Sequence, residues 1–163
     1  MSNATRRRLL AALPLLPVAA ATRARAADAP VQWTDIELID GRVLSAAQLR
    51  SSAVIAQIWA SWCPFCGAQN PHVQKLYDDN RARGLIVVAF SIDHDTQAAR
   101  DYVARGGYTF PVAMAGAQVE RWFGRRRALP ETYVIDRAGS VVFTHRGEMF
   151  PEDIAALARF AVR

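Results

Sequence analysis

The chain holds two cysteines, Cys63 and Cys66, in the stretch "QIWASWCPFCGAQNPHV" from Gln57 to Val73. Their spacing limits what they can do. A bridge between them closes a loop so short that it removes little entropy from the unfolded chain, so a structural staple is nearly worthless here. A structural zinc site needs further Cys or His ligands at finger-type spacing, and His72, His94 and His145 lie scattered. Haem attachment requires His directly after the second cysteine, where this chain has Gly67. Exchange of electrons with another thiol or disulfide remains.

Such chemistry needs one sulfur held as a thiolate, and the flanking sequence supplies the means. "AVIAQIWA", Ala53 to Ala60, is a short apolar run that fits a strand covered on both faces. From Pro64 a helical pattern runs through Val73, Leu76 and Tyr77 to Gly84. Cys63 therefore falls at a helix N-terminus, with Pro64 in the first turn where its missing N–H costs nothing. Free amides and the helix dipole stabilise a thiolate there. Cys63 is the expected nucleophile and the more exposed sulfur; Cys66, one turn further in, is the expected resolving thiol. The alternative is a pair of buried cysteines acting only as small hydrophobes.

The N-terminus bears on compartment. Arg6, Arg7 and Arg8 precede an apolar segment from Leu9 to Ala21, and Ala24 and Ala26 have A-x-A spacing. Residues 1–26 read as a secretory signal cleaved after Ala26, which places residues 27–163 in a periplasmic or otherwise extracytoplasmic space. The apolar segment contains Pro14 and Pro17 and is shorter than the ~20 residues of a membrane span, so no stable anchor is expected. Arg6 and Arg7 after Thr5 resemble a twin-arginine signal, the form favoured here, although ordinary secretory signals also begin with basic residues. Five of the 20 basic residues lie in this segment and none of the 15 acids does, leaving 15 of each sign in the mature chain. The high isoelectric point belongs to the leader and does not argue for nucleic acid.

The remaining segments alternate strand and helix. "WTDIELIDGRVLS" reads as a hairpin turning at Asp40-Gly41, "LIVVAFSID" as a second buried strand, "TQAARDYVARGG" as a helix with a glycine stop, "FPVAM" as a short strand and "AQVERWFG" as a short helix. "ETYVID" and "SVVFTHR" flank "RAGS" as a hairpin, and "PEDIAALARFAV" closes the chain as a helix. One layered α/β domain with a mixed sheet follows.

Three segments carry a resemblance to a known family. "IWASWCPFC" resembles the active-site segment of thioredoxin-like proteins, Pro71 matches the helix proline that follows it, and "LPETYVID" resembles the cis-proline segment of the TlpA-like and cytochrome-c-maturation (DsbE-type) exported thioredoxins. The similarity runs from about Trp33 to the C-terminus. It implies a thioredoxin fold, with a mixed central sheet flanked by helices and an N-terminal β-hairpin extension. It also implies a redox-active dithiol as the working group, with no bound cofactor or metal. Cys63 and Cys66 carry over as the catalytic pair. Pro130 carries over as a cis-proline that sets backbone beside the sulfurs, pairs with substrate polypeptide and keeps metals out. Trp62, Pro64, Phe65 and Leu129 are the expected substrate-binding residues; for Trp62 ordinary core packing is an open alternative, and Trp59 is assigned to packing.

Two departures stand out. Cytoplasmic thioredoxins carry a buried aspartate six residues before the first cysteine, where this chain has Gln57. Glu131, directly after Pro130, is the replacement candidate for acid-base work, with a solvated loop carboxylate as the alternative. "GRRRALP", Gly124 to Pro130, places Arg125, Arg126 and Arg127 near the site, either for an acidic partner or thiolate, or as a solvated loop. The resemblance favours a reductase of disulfides in exported proteins, apocytochromes among them, kept reduced by a membrane electron donor, and the chain is expected to be a monomer. A dithiol oxidase or isomerase is the alternative within enzymes, and a copper chaperone the alternative outside them.

Overall fold

A computed structural model describes residues 29–161; the expected signal segment and the expected cleavage point lie outside the described residues. Strands β1 (Ile36–Glu37) and β2 (Val43–Leu44) form the expected hairpin, with Ile36 opposite Leu44. Its turn uses Gly41 at φ 84°, a backbone region that penalises side chains. Then come α1 (Ala46–Ser51), β3 (Ala53–Trp59), α2 (Pro64–Asn80), β4 (Leu85–Ser91), α3 (Thr96–Gly106), β5 (Val112–Met114) and α4 (Ala117–Phe123). The chain closes with β6 (Glu131–Ile135), β7 (Val141–Arg146) and α5 (Pro151–Ala156). Sequence reading missed α1. Its signal was a capping box, in which the Ser45 side chain accepts from the Gln48 N–H and the Gln48 side chain returns to Ser45. The closing helix is also shorter than its apolar spacing implied: it tightens after Ala156 into a 3₁₀ segment, Leu157–Ala161.

The five-stranded sheet has the order β5-β4-β3-β6-β7. Strands β3, β4 and β5 are parallel, β6 runs antiparallel to β3, and β7 runs antiparallel to β6, which makes the sheet mixed as the alternating pattern implied. Every residue of β3 is buried, as a central strand with both faces covered requires. Ala53, Ile55 and Trp59 face α2, α3 and α5, while Val54, Ala56 and Ile58 face α1, α4 and the N-terminal segment around Trp33. The Ile39 N–H donates to the Val112 carbonyl at 2.8 Å, so the segment after β1 covers the outer edge of β5. This arrangement fixes the C-terminal end of β3, from which the cysteine segment departs.

Candidate active site

The cysteines sit where the strand-to-helix junction puts them. Cys63 is the N-cap of α2 in extended conformation, Pro64 follows in the first turn, and the Cys66 N–H points at Cys63 Sγ at 3.2 Å. The sulfur thus occupies the position a capping side chain takes, facing amide hydrogens that have no partner inside the helix. Cys63 and Cys66 are joined as a disulfide, with Cα atoms 5.3 Å apart. Cys66 is fully covered and Cys63 keeps a small exposed fraction, in the order expected for an inner and an outer sulfur. The Cys63 N–H donates to the Ala60 carbonyl and the Gly67 N–H to the Cys63 carbonyl, so both sides of the residue are tied down.

Around this sulfur the surface is apolar and open. Trp62 is 65% exposed and Phe65 58% exposed, with exposed Pro64 between Cys63 and Phe65. Core packing is therefore not the role of Trp62. Trp59 does pack: it is fully buried, and its ring centroid lies 4.9 Å from that of Tyr102. The Leu129–Pro130 bond is cis, Pro130 is buried, and Leu129 packs in part against both core clusters. Because Ile58 pairs with Glu131, the next step of the ladder sets Pro130 at the level of Trp59, at the sheet end from which Cys63 emerges.

Beneath the helix lies a set of buried amides that sequence reading did not find. The Gln57 side chain donates to Asn70 Oδ1 at 2.7 Å and accepts from Gln69 Nε2 at 3.2 Å. Gln69 also reaches Thr132 Oγ1 at 3.3 Å and accepts the Met149 N–H at 2.9 Å, and Asn70 donates to the Tyr102 hydroxyl at 3.2 Å. β3, α2, β6, α3 and the approach to α5 are thereby joined by uncharged groups whose donors face acceptors. The detectable signal was two amides, Gln69 and Asn70, set one turn inside a helix directly after the cysteines, on the side that Gln57 faces.

Glu131 is not a solvated loop carboxylate: it is a strand residue only 1% exposed. Its Oε1 accepts the Arg127 N–H at 2.9 Å, its Oε2 accepts the Tyr133 hydroxyl at 2.9 Å, and Arg146 Nε lies 3.5 Å away. Thr132 and Val134 face the helix α2 side, so Glu131 and Tyr133 point to the opposite face of the sheet, where Tyr133 joins the second core cluster. The Glu131 carboxylate therefore lies on the face of β6 opposite α2, tied to the Arg127 amide and the Tyr133 hydroxyl. Burial, then the Glu131 hydrogen bond and charge, push the Tyr133 hydroxyl far above its ordinary pKa. Of the three loop arginines, Arg126 lies 3.7 Å from Glu120, while Arg127 contributes its backbone N–H to Glu131.

Comparison with known proteins agrees with this arrangement. The family model described as Redoxin matches residues 26–158. The chain belongs to the Redoxin family. It is 29% identical over 127 residues to the thiol-disulfide oxidoreductase ResA of Halalkalibacterium halodurans, covering 77% of this chain and 71% of that protein. A ResA of Bacillus thuringiensis is 29% identical over 122 residues, covering 74% and 68%. Among solved structures, a thiol:disulfide interchange protein of the thioredoxin family from Chlorobium tepidum superposes with a TM-score of 0.75 at 25% identity, covering 82% of this chain and 96% of that one. A second Chlorobium tepidum protein, described as a thiol:disulfide interchange protein DsbE, gives 0.69 at 28% identity, covering 81% and 92%. The fold is thioredoxin-like of the TlpA/ResA/DsbE type, and this Redoxin is a thiol-disulfide oxidoreductase.

Proposed function

We propose that the chain works outside the cytoplasm as a reductase of disulfides in exported proteins, with apocytochromes as candidate substrates and a membrane dithiol donor restoring the reduced state. The observation that carries this reading is the disulfide at the N-terminus of α2, its outer sulfur facing the Cys66 amide and bordered by exposed Trp62 and Phe65. In the reduced enzyme the Cys63 thiolate attacks one sulfur of a substrate disulfide. A mixed disulfide forms and the other substrate sulfur leaves as a thiolate, which takes a proton from water. The Cys66 thiolate then attacks Cys63 Sγ, the second substrate thiolate leaves, and Cys63–Cys66 closes. Two electrons pass to the substrate, and the donor dithiol returns them. Trp62, Pro64, Phe65 and Leu129 bear on the substrate chain, and Pro130 presents backbone beside it.

The leader, residues 1–26, and the resemblance to exported relatives support the compartment. Among the described residues no helix is long and apolar enough to cross a membrane. Substitution Cys66→Ser is expected to trap substrates as mixed disulfides on Cys63, and Cys63→Ser is expected not to; equal trapping by both would overturn the assignment. Equilibration of Cys63/Cys66 with glutathione tests direction. Thioredoxin stands near about −270 mV and strong exported oxidants near about −120 mV. A reductase falls toward the former, and a value near the latter would favour the oxidase alternative.

A further inference from the structure

We infer that Asp93 is a positioning residue of the dithiol: it fixes the Ser61–Trp62 shoulder of Cys63, and its charge opposes the thiolate, which holds the couple toward the reducing side. The inference deepens the reductase reading and rests on it. Asp93 lies just past the end of β4 and is 8% exposed. The Ser61 N–H donates to its two carboxylate oxygens at 3.0 and 3.3 Å, and Ser61 Oγ donates to Oδ1 at 2.7 Å. Ser91 Oγ donates to Oδ2 at 2.6 Å and in turn accepts the Asp93 N–H at 3.0 Å. Two neutral residues therefore supply its donors, and none of the ion pairs among the described residues includes it. Hydrogen bonds of this kind stabilise a buried carboxylate without cancelling its charge.

The tether acts two residues before the outer cysteine. The Ile92 N–H donates to the Trp59 carbonyl at 2.9 Å and the Cys63 N–H to the Ala60 carbonyl at 3.2 Å, so the chain from Trp59 to Cys63 is held by backbone on both sides of the Ser61–Asp93 contact. Other charges nearby do not duplicate its role. His94 and Asp95 follow it but are exposed, and the Asp95 carboxylate accepts the Gln97 N–H at the start of α3. The first turn of α2 carries no acid, and its buried amides are uncharged. β6 brings Glu131, on the other face of the sheet, together with Arg146 and the Arg127 amide. Among the described residues Asp93, in the segment between β4 and α3, is thus the buried carboxylate bonded to the loop that carries Cys63. A like charge beside a thiol disfavours its ionised form and so disfavours the reduced state at neutral pH.

The test compares wild type, Asp93→Asn and Ser61→Ala by two measurements: the pH profile of Cys63 alkylation by iodoacetamide, and the equilibrium of Cys63/Cys66 with glutathione. Asp93→Asn keeps an acceptor for Ser61 and removes the charge. It is expected to lower the Cys63 pKa by roughly half a unit to one unit and to shift the equilibrium about three- to tenfold toward the dithiol, up to ~30 mV. Ser61→Ala keeps the charge and removes one donor that screens it, so the Cys63 pKa is expected to rise. An unchanged or raised pKa in Asp93→Asn would overturn the inference, as would an unchanged or lowered pKa in Ser61→Ala. The latter alone decides the matter if the aspartate variant does not fold. A wild-type chain that fails to exchange with glutathione at all would instead overturn the redox reading, and the inference with it.

Discussion

Replacing Glu131 separates a structural carboxylate from a proton-transfer group. The side chain is 1% exposed and makes two hydrogen bonds of 2.9 Å, from the Arg127 amide and the Tyr133 hydroxyl, with Arg146 at 3.5 Å. In Glu131→Gln the amide oxygen can keep the Arg127 N–H, and the Tyr133 hydroxyl can rotate to accept from the amide nitrogen, so both groups stay paired. What is lost is the charge-assisted part of two bonds and a long pair with a half-exposed arginine, together ~1–2 kcal/mol. Glu131→Ala leaves the Arg127 N–H and the Tyr133 hydroxyl without partners, Arg146 without its carboxylate and a void behind them, for ~3–5 kcal/mol. Urea unfolding of the oxidised chain at neutral pH reads both values. The tyrosine adds a check on sign: its folded-state pKa is raised, so its contribution is full below the unfolded pKa of ~10 and is lost as pH rises from there toward the folded value. Wild-type stability is therefore expected to fall above about pH 10, and that fall should end at lower pH in Glu131→Gln, where the carboxylate no longer opposes the phenolate. The thiol-disulfide exchange profile near neutrality should match wild type. Unchanged urea stability in Glu131→Ala, or a displaced exchange profile in Glu131→Gln, would refute the assignment of this carboxylate to the far face of the sheet.

Two further perturbations test the other halves of the site. Gln57→Glu sets an acid among buried amides, with one oxygen against the Asn70 acceptor 2.7 Å away, so burial should raise its pKa and the variant should be least stable at high pH. A deficit of ~2–4 kcal/mol at pH 8 that shrinks at pH 5 is expected in urea unfolding, and a deficit independent of pH would contradict it. Trp62→Ala and Phe65→Ala remove side chains that are mostly in solvent, so stability should stay within ~0.5 kcal/mol. Reduction of a protein disulfide should slow about tenfold while exchange with glutathione is nearly unaffected, and equal losses on both substrates would remove the substrate-contact role.

What the sequence disclosed depended on whether the determining contact was local. The Cys63–Pro64 start of α2, the fully buried β3 and the turn at Gly41 were legible because each follows from neighbours within a few residues: a cap and proline, an apolar run, a turn dipeptide. The capping box at Ser45 was equally local and was passed over because the hairpin pattern ran up to it. Pro130 was legible only through resemblance. Exposure of Trp62 could not be read from residue type, since an aromatic beside a cysteine packs or protrudes according to where the next elements lie. The burial of Glu131 was not legible for a related reason: adjacency to Pro130 along the chain says nothing about which face of β6 a side chain takes, and the face follows from register with Ile58.

The missing acid at Gln57 then has a physical explanation that needs no substitute acid nearby. A carboxylate at that depth requires a donor set or a proton, whereas the positions around it hold Gln69, Asn70 and Thr132, whose groups complete a neutral network with Gln57. Changing Gln57 alone to an acid breaks that pairing, and so the amides constrain one another as a unit. The same network ties Met149, at the approach to α5, to the middle of α2 through Gln69. The hydrogen-bonded groups of this network are all uncharged, whereas the carboxylate of Asp93 is held at the Ser61 shoulder before the outer cysteine. On this arrangement the outer sulfur faces the Cys66 amide two residues after the tethered Ser61, and the inner sulfur is fully covered, so the two meet different surroundings before any substrate arrives.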